Sequence, residues 1–299
     1  MRTSIFAMAA SLVAVTFGAE EKFTDIAEPL RSEVTHFRAA SALAPSSANT
    51  FSLLTYNVAG LPDPISASVP SVNTPIISGL LNAYELVLVQ EDFAYHEELS
   101  SRARHPFQSA IMPSRLHMQS DGLNRYSVFP SSDVLRHRWA SCNGYILGAN
   151  DCLADKGFSV SRIELGEGLS VDVYNLHADA GDDPDDAKAR RSEFSQLAET
   201  IAEYSVGRAV IVAGDTNLKL NFQSDLHILD AFLESTGLSD ACHTLGCRTE
   251  SIDRVFYRGS KSVNLHPQTW RIATEFVDAN GLDLSDHRAI AVEFEWLSH

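Results

Sequence analysis

The run Arg208-Ala209-Val210-Ile211-Val212-Ala213-Gly214-Asp215-Thr216-Asn217 constrains the fold more than any other stretch. A short, continuous apolar run rich in β-branched residues and bounded by turn formers reads as a strand buried on both faces. Whatever folds around it must cover two sides of a sheet. The run stops at a glycine and then presents a carboxylate and an amide. Gly214 permits a sharp turn or a close approach by another segment, and Asp215 and Asn217, two residues apart, lean to the same side. Gly-Asp and Asn are also ordinary turn chemistry. The remainder of the chain decides between a closed turn and a ligand site.

The same arrangement recurs. Phe51 to Tyr56 is a run of strand formers ending at Asn57, and Leu86 to Val89 is a buried strand ending at Gln90-Glu91. Val171 to His177 alternates as a strand and ends in an imidazole, Ile252 to Tyr257 is a strand carrying Asp253, and Leu284-Ser285-Asp286-His287 is a turn feeding an alternating final strand. Two helices are predicted. One spans about 187–204 with Phe194, Leu197, Ala198 and Ile201 inward, its N-terminus suited by the acids Asp182 to Asp186; the other carries Leu226, Leu229, Phe232 and Leu233. Strands and helices alternate only partly, which points to an α+β chain of packed sheets with helices outside.

The N-terminus separates from this pattern. An early Arg2, an apolar segment from Ile5 to Phe17 and small residues at Gly18 and Ala19 read as a secretory signal over 1–19, too short for a membrane span. A helical extension is expected over 20–49, from the spacing of Ile26, Leu30, Val34 and Phe37, ahead of one domain over 50–299. A secreted, extracellular destination makes the four cysteines candidates for two local disulfides, Cys142 with Cys152 and Cys242 with Cys247. Their spacings do not form a zinc pattern. The formal charge is −16, with no basic stripe to track a phosphate backbone, so nucleic acid is a disfavoured partner.

Carboxylates, asparagines and histidines at strand ends make a hard, oxygen-rich set. Such ligands suit Mg²⁺ or Mn²⁺, and histidine can neutralise or protonate a phosphoryl oxygen. No GxSxG elbow and no Walker loop offers a rival chemistry.

Taken in order, Thr55-Tyr56-Asn57, Gln90-Glu91, Asn175-Leu176-His177, Gly214-Asp215-Thr216-Asn217, Ile252-Asp253-Arg254-Val255 and Ser285-Asp286-His287 resemble the endonuclease/exonuclease/phosphatase superfamily, which includes deoxyribonuclease I, sphingomyelinases and inositol-polyphosphate phosphatases. The resemblance implies a four-layer α/β/β/α sandwich of two mixed sheets with outer helices. It implies a site holding Mg²⁺, or Mn²⁺ or Ca²⁺, through Asn57, Glu91 and Asp286. Asp215 would orient or deprotonate water, Asn217 would hold a phosphate oxygen, His287 oriented by Asp253 would stabilise the transition state or act as base, and His177 would contact phosphate or protonate the leaving oxygen. Cys142 to Cys152 followed by Lys156-Gly157 is similar to secreted bacterial sphingomyelinases. The implied activity is a phosphodiesterase acting on a phosphate ester such as a phospholipid head group, in a monomer. A deoxyribonuclease I-like nuclease and an inositol or sugar phosphatase are the alternatives. One feature departs from that branch: its exposed aromatic membrane-contact hairpin has no counterpart, and Leu61 to Ile77 reads as a Pro/Ser-rich loop with aliphatic residues only.

Overall fold

Alternation along the strands sorts their side chains into two faces, and that sorting builds the layers. In the computed structural model, the described residues are 30–32, 43–45, 49–66, 68–112, 119–144, 151–166 and 168–298. The strands are β1 (Leu30–Ser32), β2 (Thr50–Asn57), β3 (Leu86–Gln90), β4 (Phe107–Gln108), β5 (Asn124–Ser127), β6 (Val134–Arg138), β7 (Gly157–Gly166), β8 (Leu169–His177), β9 (Ala209–Asp215), β10 (Ser239–Asp240), β11 (Asp253–Arg258), β12 (Val263–Ile272) and β13 (Ile290–Ser298). They form a seven-stranded sheet in the order β1-β6-β7-β8-β9-β11-β10 and a six-stranded sheet in the order β12-β13-β2-β3-β5-β4. Both are mixed: β2–β3 and β8–β9 are parallel, while the other pairings are antiparallel.

The sheets pack face to face. Phe51, Leu53, Leu86 and Leu88 from one meet Val171, Val173, Ala209, Ile211 and Val255 from the other in a single buried cluster. The residues between them in sequence point outward to helices. Tyr174, Leu176, Val210 and Val212 pack under α3 (Pro184–Tyr204) and α4 (Gln223–Thr236) through Phe194, Leu197, Ile201, Ile228 and Phe232. Leu54, Tyr56, Val87 and Val89 pack under α1 (Pro70–Leu80) and α2 (His96–Ser100) through Ile77 and Leu99. Each such fully buried aliphatic side chain contributes about 1.5–3 kcal/mol. The result is the four-layer α/β/β/α sandwich expected.

Local differences have physical reasons. The stretch expected as a loop over 61–77 contains the first turns of α1, which starts on Pro70, where the missing N–H has no intrahelical partner to lose. α3 begins at Pro184, three residues before the acids suggested, and the Asp183 N–H donates to Asp186 at 2.9 Å. In α4, Ile228 takes the buried position and Leu226 stays half-buried. The expected signal over 1–19 lies outside the described residues, as does most of the expected helix over 20–49. Of the residues described there, Leu30–Ser32 form instead an edge strand antiparallel to β6, whose open edge offers backbone partners, and 43–45 and 49 are not helical. Both local disulfides, Cys142–Cys152 and Cys242–Cys247, are present.

Candidate functional site

The site is the polar end of the row of side chains that fills the space between the sheets. Along β2 that row reads Phe51, Leu53, Thr55, Asn57; along β3, Leu86, Leu88, Gln90; along β8, Val171, Val173, Asn175, His177; along β9, Ala209, Ile211, Ala213, Asp215. Each row is apolar until its last one or two members. Because β2–β3 and β8–β9 are parallel, their C-terminal ends share one edge of the sandwich. β11 runs the other way, so its first residue reaches the same edge. His177 and Asp253 are thus both register partners of Asp215, one on each side. Gly214, with φ +146°, lets β8 come close: a Cβ there would lie 2.1 Å from the Leu176 carbonyl oxygen. Of the two uses foreseen for this glycine, close approach is the one realised.

Side-chain contacts join the two sheets at this edge. The Asn57 Nδ2 group donates to Glu91 Oε1 at 3.0 Å and to Asp215 Oδ2 at 3.1 Å. His177 Nε2 lies 3.4 Å from Asp215 Oδ2 and 3.8 Å from Glu91 Oε1. His287 Nδ1 donates to Asp253 Oδ2 at 3.0 Å, and its Nε2 stands 3.7 Å from Asp215 Oδ2. The Asn217 N–H donates to Asp215 Oδ1 at 3.1 Å, and its side-chain amide donates to the Ala178 carbonyl at 2.9 Å. Glu91 and Asn217 both adopt positive φ, +59° and +49°, a conformation costly for residues with a Cβ and one that clusters where structure serves a site.

Burial and crowding set the charges. Burial, then the Asp253 charge, pushes Asp215 up to about 6, against the pull of His287, Lys156 and Asn57. Burial also raises Glu91, opposed by the Asn57 hydrogen bond and by Lys156. Burial holds His177 well below the usual imidazole range, helped by the positive Lys156 and His287, so its ring is neutral. Burial works against the His287 charge too. Its hydrogen bond to Asp253 and the charges of Asp215, Asp253 and Asp286 outweigh that and bring it to about 10. At neutral pH the site contains one neutral and one cationic imidazole.

Seven of the eight residues expected from sequence converge here. Asp286 is the exception: it is exposed on the rim beside His287, its hydrogen-bond partner is Ser285, and no hydrogen bond joins it to Asn57 or Glu91 among the described residues. Two features had no assigned role. Lys156 is nearly buried, bonded to Asp151 and to the Ala178 carbonyl, and carries its charge toward Glu91 and Asp215. Beneath the site, Gln90 Nε2 donates to Asn175 Oδ1 at 2.7 Å and to Thr55 Oγ1 at 3.1 Å, while Asn175 Nδ2 donates to the carbonyls of Val89 and Asn124. Polar residues on an inward face that is otherwise apolar were the sequence signal for this bridge. Two cavities flank the cluster. One of 770 Å³ extends past Asp253 and His287 toward Lys219 and Arg288, and one of 270 Å³ lies against Glu91, Lys156 and His177.

The donor set fits a hard divalent cation. Glu91 keeps about a fifth of its side chain open to the cleft, with its Oε1 already oriented by Asn57, and Asp253 Oδ1 is buried without a hydrogen-bond partner. Ligand atoms of Asp215, Asp253 and His287 lie within 4.8 Å of one another. A cationic His287 has no lone pair to give, so the carboxylates and Asn57 are the better ligands.

Comparison with known proteins gives concordant likenesses. Residues 83–239 match the family model described as Endonuclease/Exonuclease/phosphatase family 2. Sphingomyelinases of Mycobacterium bovis and Mycobacterium tuberculosis are each 35% identical over 272 residues, covering 83% of this chain and 53% of their own length. The chain therefore spans about half the length of the curated relatives it matches. Sphingomyelinase C from Streptomyces griseocarneus superposes with a TM-score of 0.62 at 18% identity, covering 82% of this chain and 99% of that one. A Staphylococcus aureus beta toxin mutant with bound magnesium ions superposes at 0.61 and 17%, covering 81% and 98%. At these identities the two solved structures speak to the fold.

Proposed function

This chain belongs to the endonuclease/exonuclease/phosphatase family, and from that premise we propose that it is a secreted, divalent-metal-dependent phosphodiesterase of sphingomyelinase type that hydrolyses its substrate by in-line attack of water. The observation that carries the reading is Asp215, register-paired with His177 and Asp253 and tied through Asn57 to Glu91. The names of the mycobacterial relatives support the substrate class, and the magnesium in the beta toxin structure supports the cofactor. The leader-like N-terminus and two disulfides support secretion, since such bonds persist in oxidising compartments.

Glu91 and Asn57, with Asp286 at the rim, would hold Mg²⁺, or Mn²⁺ or Ca²⁺ in its place; bound there, the ion supplies Lewis-acid neutralisation of a phosphoryl oxygen. Asp215 is the base in this reading. At about 6 it is largely ionised at neutral pH yet basic enough to accept a proton from water. The oxygen of that water forms a bond to phosphorus as the bond to the leaving oxygen breaks. His287, cationic and oriented by Asp253, neutralises the growing charge and gives its Nε2 proton to the leaving oxygen. His177 is neutral, so it serves as a hydrogen-bonding contact to phosphate, and Asn217, its N–H on Asp215 and its amide nitrogen held by the Ala178 carbonyl, would hold a phosphate oxygen.

The test is phosphocholine release from sphingomyelin vesicles with Mg²⁺, alongside His287→Ala. The expected result is release by the wild type and a loss of roughly 10²–10⁴-fold in the variant. Release by neither protein, with nicking of plasmid DNA by the wild type, would replace the sphingomyelinase reading with a nuclease.

A further inference from the structure

The 270 Å³ cavity differs from the larger cleft in having an apolar wall. Leu61, Ile65, Phe93 and Leu153 line it together with Glu91 and His177. Ile65 in its lining is 65% exposed, and within the next seven residues of the chain Val69 and Val72, joined by the Val72 N–H to Val69 carbonyl bond, are 51% and 59% exposed. The other exposed large apolar side chains among the described residues, such as Val206 and Leu245, are scattered singly. Exposed aliphatics that begin in the lining of a reactive cleft form a recognition surface, where isolated exposed aliphatics need no explanation.

Charge specifies what it recognises. The chain carries a formal charge of −16, yet between Asn57 and Glu85 the only charged side chain is Asp63. That carboxylate is occupied: the Ser71 N–H donates to it at 3.0 Å, the Ser71 hydroxyl at 2.6 Å and the Tyr95 hydroxyl at 3.0 Å. These bonds, together with the Ser66 hydroxyl donating to the Ala59 carbonyl at 3.2 Å, hold the segment in one shape, so presenting the aliphatics costs little ordering on contact. An acidic molecule therefore turns a mainly apolar sector, with Asp63 as its one charge, toward the side from which its substrate enters. Such a sector suits a surface without net charge; an anionic surface would meet repulsion from the rest of the molecule.

We infer that Leu61, Ile65, Val69 and Val72 form the face by which this protein rests on an uncharged, zwitterionic lipid surface, with the apolar part of the lipid nearest the phosphate entering beside Ile65 and Phe93. The inference rests on the phosphodiesterase reading of the adjoining site, and it assigns to aliphatic residues at the start of α1 a contact for which the sequence offers no aromatic hairpin.

Co-sedimentation with phosphatidylcholine–sphingomyelin vesicles, without added metal so that turnover does not consume them, reads the surface apart from the chemistry. The wild type should bind. The double variant Val69→Asp/Val72→Asp, altered at exposed positions that the core does not need, should bind about tenfold more weakly or worse. Val206→Asp, equally exposed elsewhere, should bind as the wild type does. Adding phosphatidylglycerol should weaken wild-type binding. No wild-type binding, equal binding by the double variant, or binding that requires the anionic lipid would each overturn the inference. In parallel, Mg²⁺-dependent hydrolysis of soluble bis(p-nitrophenyl) phosphate should be alike in wild type and double variant. Absence of that hydrolysis in both proteins would remove the phosphodiesterase reading and leave the binding result to stand by itself; its loss in the double variant alone would show a damaged site and overturn the inference.

Discussion

Asp215 and His287 stand 3.7 Å apart and carry opposite charges at neutral pH, and neither fact follows from their residue types. Sequence placed both at strand or turn ends beside other polar groups, and that much was legible. Which of them takes the proton was not, because protonation depends on burial and on neighbours far away in sequence: Asp253 acts on both, and Lys156 acts on Asp215. His105 shows the same dependence with a consequence for stability. It is 1% exposed, hydrogen-bonded to the Tyr84 carbonyl at 2.7 Å, and burial lowers it to about 4. Unfolded, it titrates near the ordinary 6.5, so above that pH both states are neutral and stability is unaffected. As pH falls from 6.5 toward 4 the unfolded chain takes up a proton that the folded one refuses, and stability drops by on the order of 2–3 kcal/mol. Denaturant titrations at pH 7 and pH 4.5 should show a smaller loss for His105→Gln than for the wild type. Equal losses would mean that other groups set the acid limb.

At the scale of elements, β8 and β3 are coupled by amides rather than by apolar packing just where the site begins. Asn175 reaches across from one sheet to three groups of the other, all away from water. Asn175→Ala should cost about 2–4 kcal/mol, because it takes a donor from two buried carbonyls and an acceptor from the Gln90 amide, which keeps Thr55. It should also cut kcat about tenfold or more at a temperature where the variant remains folded, since His177 and Glu91 lose their common anchor. Stability loss with full kcat would reduce the bridge to a packing feature. The strands themselves were readable because apolar runs and alternation report burial directly. The turns of α1 were hidden by prolines and serines, whose local preference is for loops, and were recruited by Ile77 and Leu81 packing onto the sheet. Leu30–Ser32 reads as helix by spacing and pairs as strand, because an open sheet edge outweighs a weak periodicity.

For the whole molecule, two sheets share one core and the site is that core's last layer. Trp296 lies in the core between the sheets and Trp139 beneath α3 and α4, so fluorescence samples both interfaces. Unfolding in denaturant, followed by fluorescence and by residual phosphodiesterase activity, should give superimposable transitions. Activity lost well before fluorescence would show instead that the strand ends fray independently. The layered architecture was legible from where strands and helices alternate and where they do not. The edge on which the polar ends meet was not, because strand direction and register are settled between partners distant in sequence.

The pairing of Asp215 with His177 on one side and Asp253 on the other has a further consequence. Side chains change face at every residue, so a slip of one position in either pairing would send a reactive group toward the helices and a core aliphatic toward the cleft. On the proposed phosphodiesterase reading, catalysis would therefore be an assay of the molecule's own alignment: a misregistered copy would be silent as well as unstable, and the chemistry would vouch for the fold that performs it.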